Sequence, residues 1–157
     1  MTITDKHVFF YNGIYSQWYR APFSIDGIRF ITCEQYMMYK KAMLFGDEDV
    51  ANQILLTENP SEQKALGKLV KGFDRTIWDQ NCFSIVYQGN LAKFTQNPEL
   101  REELLATGDR VIVEASPYDF IWGIKMGEED ENLDSPSYWR GLNLLGFAIM
   151  TVRNQLK

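Results

Sequence analysis

A mainly α fold, a multihelical single domain with a small β-hairpin or sheet, is predicted by three features of the sequence. Six segments show helical periodicity between cap residues and glycines, against three short β-rich runs. No linker, internal repeat or low-complexity tract divides residues 1–157, so one domain is expected. A chain of 157 residues is long enough to bury a proper core.

The elements follow in order. "HVFFYN" (7–12) and "PFSIDGIRFI" (22–31) read as strands, the second folded at its "DG" turn. Thr32-x-x-Gln35 has the form of a capping box and Gly46 of a C-terminal stop, which places a helix between them. Asp47 caps the next helix, "EDVANQILLT". Asn59-Pro60-Ser61-Glu62 supplies a cap, a first-turn proline and an acid for "SEQKALGKLVKG", predicted to end at Gly72. Cys82, Ile85, Val86, Leu91 and Phe94 predict a helix from Trp78 to about Thr95, bent near Gly89. Asn97-Pro98-Glu99 opens a short helix that stops at Gly108, and "RVIVEAS" (110–116) is a strand. "GEEDENLDSPS" (127–137) is acidic and aperiodic, a solvated loop with no assigned role. A last helix is predicted over roughly 139–156.

Composition excludes several chemistries. Apolar residues make up 45% and charged residues 24%, as in a globular protein, and the net charge of −5 argues against broad binding to nucleic-acid backbone. Aromatic residues are plentiful at 14%, enough to fill a core or line a pocket. Cys33 and Cys82 lie far apart and His7 is the only histidine, so a zinc site is not expected. GxGxxG, GxxxxGK[ST] and GxSxG motifs are absent, which removes Rossmann, P-loop and esterase readings. Acid–base chemistry therefore falls to carboxylates, with no cofactor and no metal. No apolar run of membrane-spanning length occurs, so a soluble, cytoplasmic protein is expected.

The most informative stretch is "ITCEQYMMYKKAMLFGD" (31–47). With Thr32 as N-cap, Glu34 occupies the second helical position, where the helix dipole favours an acid by about 0.3–1 kcal/mol. Lys41 follows seven residues later, within about 20° of Glu34 around the axis and about 10 Å along it, too far for an i,i+4 ion pair. Met37, Met38 and Met43 are expected to face the core, so acid and lysine flank a semi-apolar face with room for a ribose. A lysine snorkelling to water from the edge of the core is the ordinary reading of Lys41.

These residues also carry a resemblance. "SQWY" (16–19), "PFSIDGIRFITCEQYMMYKKAMLFGD", "ILLTENPSEQKALGKLV", "FDRTIWD", "LAKFTQNPELREELLATGDRVIVEASPYDFIWGIKM" and "WRGLNLLGFAIMTVRNQL" together resemble the NADAR, or YbiA-like, family from about residue 9 to 156. The family pattern runs S-N-F-Y, F-x-x-D-G, then S/T-x-E-H-Y with a lysine seven residues after the glutamate. The resemblance implies a compact, mostly helical domain that cleaves N-glycosidic bonds. The implied substrates are a phosphoribosyl-aminopyrimidine of the riboflavin pathway or ADP-ribosylated guanine. It also implies Glu34, Lys41, Trp78, Asp119, Trp122 and Asn143 as functional positions. Here Gln35 stands for the family histidine and Gln17 for the family asparagine, a longer side chain near the ligand.

Breaking a ribosyl C–N bond builds positive charge on the sugar, which calls for a carboxylate at the anomeric carbon and a proton for the leaving base. Glu34 and Asp119 are the expected catalytic acids, serving one sugar, with Lys41 as a further catalytic group that could form a Schiff base. Trp78, Trp122, Trp18 and Tyr19 are the expected aromatic substrate contacts. Gly123 is expected to allow close backbone approach, and Asn143 to find a ribose hydroxyl or the Asp119 loop. Arg20, Lys68 and Lys93 are candidates for phosphate. The expected partner is a small ribosyl or ADP-ribosyl substrate, or ADP-ribosylated nucleic acid, with no membrane. The alternative is a non-catalytic ADP-ribose-binding module.

Overall fold

The structure is a computed structural model that describes residues Met1–Lys157. Its elements are β1 (Thr2–Ile3), β2 (His7–Phe10), β3 (Phe23–Ile25), β4 (Ile28–Phe30), α1 (Cys33–Leu44), α2 (Glu48–Leu56), α3 (Pro60–Gly67), α4 (Arg75–Gln96), α5 (Pro98–Ala106), β5 (Val111–Glu114), a 3-10 turn (Pro136–Tyr138) and α6 (Leu144–Leu156). The fold is mainly α, as predicted. No helix is long and apolar enough to cross a membrane. The chain divides into two compact units, one of Gln17–Asn97 and one of Met1–Ser16 with Pro98–Lys157.

In the unit Gln17–Asn97, β3 and β4 pair antiparallel with Ile25 opposite Ile28. Asp26 and Gly27 both have positive φ, 52° and 80°, as a two-residue I′-type turn requires. Phe23, Phe30 and Tyr36 form the core beside the hairpin, with Phe30 and Tyr36 edge to face at 5.0 Å. At the head of α1 the Gln35 amide N–H donates to Thr32 Oγ1 at 3.0 Å. The Gln35 side chain does not return to the cap residue itself: its Oε1 accepts from Ile31 N at 2.8 Å. Its Nε2 donates to the Ile54 and Thr57 carbonyls at 3.0 and 3.1 Å, which ties α1 to the end of α2. Thr32 Oγ1 donates to Gln63 Oε1 on α3 at 2.6 Å, so one buried polar knot joins three helices.

Several boundaries differ from expectation. The third helix stops at Gly67, not Gly72. The Lys68 and Leu69 amides tighten to carbonyls three residues back, Ala65 and Leu66, and so close the last turn. α4 begins at Arg75, where Asp74 caps it by accepting from Ile77 N at 3.1 Å. It runs unbroken through Gly89. That glycine makes room for a neighbour instead of a bend, since a Cβ there would lie 2.9 Å from the Tyr36 ring. Met43 is exposed and does not join Met37 and Met38 in the core.

In the other unit, β2 pairs parallel with β5, Val8 opposite Ile112, and β1 adds an antiparallel edge that sequence reading missed. Phe9, Val113, Ala115, Ile124, Met126 and Leu133 form its core, and α6 packs on β5. At Gly146 a Cβ would run into the Ile112 carbonyl, which is why α6 can lie so close. The last helix starts at Leu144, not 139. Residues 139–143 are instead laced back, with Arg140 N bonded to Ile124 O and Leu142 N to Phe120 O. The acidic segment 127–137 is not merely solvated. Leu133 is buried, and Asp134 Oδ1 accepts from Thr4 Oγ1 at 2.8 Å and meets His7 Nδ1 at 2.7 Å. The His7 and Thr4 bonds hold the Asp134 carboxyl below the usual carboxylate range.

The Gln35 knot makes a testable demand. Gln35→Leu keeps most of the volume but leaves the Ile31 N–H unpaired inside the protein and takes one donor each from the Ile54 and Thr57 carbonyls. A loss of about 2–4 kcal/mol is expected, read as a lower urea midpoint with an unchanged slope.

Candidate active site

Glu34, Lys41, Trp78, Trp18 and Tyr19 belong to the unit Gln17–Asn97, whereas Asp119, Trp122, Gly123 and Asn143 belong to the other. In the first unit, Glu34 is only 5% exposed. Its amide N–H, at the second helical position, donates to Gln17 O at 3.0 Å. Beside it, Thr32 Oγ1 accepts from Gln35 N and is itself tied to Gln63 on α3.

Lys41, one face with Glu34, is half-buried. Its ammonium lies 4.7 Å from the Phe73 ring centroid and 5.7 Å from that of Trp78. Trp78, expected as a substrate contact, thus lies beside Lys41, expected as a catalytic group. Burial pushes the Lys41 pKa below the ordinary lysine value; Glu34 pulls it back up, and Arg75 and Lys68 push it further down. A lysine shifted in this direction binds less proton folded than unfolded, so its contribution to stability falls as pH falls through that window.

Tyr19 and Trp18 are exposed aromatic side chains in the irregular segment before β3. Tyr19 lies with its ring centroid 5.7 Å from the Lys93 ammonium. Lys93 is not the surface phosphate ligand that its position suggested: it is 0% exposed. Burial lowers its pKa, and the Cys33 thiol raises it. Cys33, wholly buried next to Glu34 in sequence, has its own thiol pushed up to about 11, first by burial. Of the other phosphate candidates, Arg20 pairs with Glu58 at 3.1 Å and Lys68 is exposed.

Sequence reading passed over Asn90, which is fully buried on α4 and hydrogen-bonded to Gln17. The signal was present. Val86, Asn90, Lys93, Phe94 and Asn97 recur at three- and four-residue steps, so Asn90 and Lys93 share the face of residues already read as core.

In the second unit, Asp119 Oδ1 accepts from the Ile121 and Trp122 amides at 2.9 and 2.8 Å, a closed Asx turn. Trp122 is half-buried. Gly123 provides close backbone approach, but toward protein: a Cβ there would meet Glu114 O at 2.9 Å and Asp119 O at 3.1 Å. The Asn143 side chain turns to β5, while its amide N–H donates to Gly123 O, in the loop after Asp119, at 3.0 Å. Its Oδ1 accepts from Glu114 N and its Nδ2 donates to Ile112 O, each at 3.0 Å, clamping β5 from the left-handed residue (φ 52°) that precedes α6. A short side chain that can occupy αL and also satisfy a strand edge explains asparagine here.

Comparison with known proteins places these residues in context. Residues 8–157 match the NADAR domain. The chain is 41% identical over 165 aligned residues to "N-glycosidase R617" of Acanthamoeba polyphaga mimivirus, covering 97% of each. It is 35% identical over 112 residues to "Riboflavin biosynthesis protein PYRR, chloroplastic" of Zea mays, covering 69% of this chain and 16% of that protein. Its fold matches the NMR structure of the E. coli protein YbiA with a TM-score of 0.80 and 28% identity, over 99% of this chain and 87% of that one. YbiA of Escherichia coli is itself named an N-glycosidase.

The lowered basicity of Lys41 predicts its reactivity. In limiting acetylation at about pH 8, Lys41 is expected to react ahead of exposed Lys64 and Lys71, as read by peptide mass spectrometry. Its advantage should shrink toward pH 10–11, where ordinary lysines also lose their protons.

Proposed function

The chain belongs to the NADAR family, and from that premise we propose that it is an N-glycosidase that hydrolyses a ribosyl C–N bond. The observation that carries the reading is Glu34: a buried carboxylate in the first turn of α1, on one helical face with a lysine of lowered basicity. We assign a phosphoribosyl-aminopyrimidine of the riboflavin pathway as the first substrate to test, supported by the name of the maize relative. ADP-ribosylated guanine, free or in nucleic acid, is the other. Residues 1–157 act as one NADAR domain in this reading, in the cytoplasm and without a cofactor.

As the C–N bond lengthens, C1 of the ribose becomes oxocarbenium-like. Glu34 is assigned to stabilise that charge and to orient the attacking water. Asp119 is assigned as a second carboxylate on the family resemblance and the demands of the reaction. The departing base leaves with a proton and the sugar gains hydroxide from water.

A second route is favoured by the surroundings of Lys41. Neutral Nζ adds to the C1=N imine of the ring-opened ribosylamine; both Nζ hydrogens pass to the base nitrogen, and its bond to C1 breaks as the base leaves as its amine. The resulting imine is then hydrolysed by water, restoring the lysine. Borohydride added during turnover is expected to leave a ribosyl mass on the Lys41 peptide, and wild-type turnover without any adduct would discard this route.

The activity itself is tested by incubating wild type and Glu34→Gln with the ribosylamino-pyrimidine phosphate and, separately, with ADP-ribosylated guanosine. Released base is followed by mass spectrometry. Wild type should release base from one of them, and Glu34→Gln about 10²–10⁴-fold more slowly. Binding without release by either protein would mark an ADP-ribose-binding module instead.

A further inference from the structure

The unit Gln17–Asn97 contains a polar pair that the reaction as described does not use. Asn90, 0% exposed on the buried face of α4, donates through Nδ2 to Gln17 Oε1 and to Val86 O, each at 2.9 Å. Both of its N–H hydrogens are then engaged. Asn90 Oδ1 and Gln17 Nε2 have no hydrogen-bond partner and no contact with solvent. Turning the amides over does not remove the problem. If both are flipped, one bond still joins them, and again one carbonyl oxygen and one NH2 group are left over. Two adjacent buried groups in this condition are unusual enough to require a partner.

We propose that the Gln17–Asn90 amide pair recognises the vicinal hydroxyls of the substrate's ribosyl ring, an inference that rests on the ribosyl reading above. A leftover donor beside a leftover acceptor is matched by two neighbouring hydroxyls, each of which can both give and take a hydrogen bond. The placement agrees with the chemistry. The carbonyl of Gln17 holds the amide of Glu34 at 3.0 Å, so the pair hangs from the residue that seats the catalytic acid. If Glu34 addresses C1, the hydroxyl on C2 is one bond away. Gln17 lies in a segment without helix or strand, so its side chain can turn from Asn90 to a ligand without breaking a ladder. Trp18 and Tyr19 follow it directly and present exposed aromatic faces to a sugar or base. Gln17 thereby becomes a specificity residue, and its extra methylene relative to the family asparagine sets how far its amide reaches.

The test uses full-length protein with ¹⁵N-labelled side-chain amides and three probes: ribose 5-phosphate, 2-deoxyribose 5-phosphate and guanosine's free base. Ribose 5-phosphate is expected to shift both the Gln17 and the Asn90 amide signals. It should bind at least about tenfold more tightly than the 2-deoxy sugar, because a site built for a hydroxyl rejects the analogue lacking it. In Gln17→Met, checked for native circular dichroism, that preference should fall to about one; Gln17→Leu serves if the methionine variant does not fold. The proposal is overturned if the preference survives in the variant, if only the base shifts the signals, if a long-lived water alone occupies the pair, or if no probe binds. Base release by wild type alongside any of those results leaves the glycosidase reading standing. Its loss in the hydrolysis assay would sink that reading separately.

Discussion

The need to pair every polar group buried at the start of α1 governs this part of the molecule. A helix start carries unsatisfied amides, and here that start is inside the protein, where each unpaired group costs about 1–3 kcal/mol. Thr32 and Gln35 satisfy the local ones, and Gln35 and Gln63 extend the network to the carbonyls that end α2. The result is a rigid, closed set in which Gln35 is bound at both ends of its amide. Gln17 is drawn in because its carbonyl takes the amide of Glu34, which is buried in the same first turn. An acid placed in this way is held by its neighbours, which is what a catalytic group needs.

What was legible in the sequence was local. The Asp26-Gly27 turn, the caps Thr32, Asp47 and Asn59, and the stop at Gly46 each depend on a few adjacent residues, and each is found where those residues predict it. The misplaced boundaries depend on partners distant in sequence. Gly89 resembles a break until Tyr36 is seen packed against it. Residues 139–143 look helical by composition, but the carbonyls of Ile124, Phe120 and Gly123 claim the amides of Arg140, Leu142 and Asn143. Asn90, and the burial of Lys93, were hidden for another reason. A polar residue on an apolar face is usually taken as an error of phase, and only the packing reveals that the phase is right and the residue buried.

The second unit separates two meanings that a motif can carry. Asn143, Gly123 and Gly146 fall in the most distinctive segments of the family resemblance, yet the structure gives each a backbone duty. Asn143 clamps β5, Gly123 admits the Glu114 and Asp119 carbonyls, and Gly146 admits that of Ile112. Asp119 also spends one oxygen on its own turn. Because that turn uses only Oδ1, a structural duty does not exhaust the carboxylate, whereas both ends of the Asn143 amide are committed. The same motif therefore speaks more strongly for chemistry at Asp119 than at Asn143.

Lys41 shows how charge placement decides between an ordinary and a chemical lysine. A snorkelling lysine keeps its ammonium in water and its basicity near normal. Here the ammonium instead faces Phe73 and Trp78, and two further cations, Arg75 and Lys68, oppose its charge. The aromatic faces favour the cation while burial and the neighbouring charges favour the neutral amine. Glu34 supports the cation from the same helical face, so any change in its charge reaches Lys41. The basicity of Lys41 is therefore set jointly by its burial, by the two neighbouring cations and by Glu34.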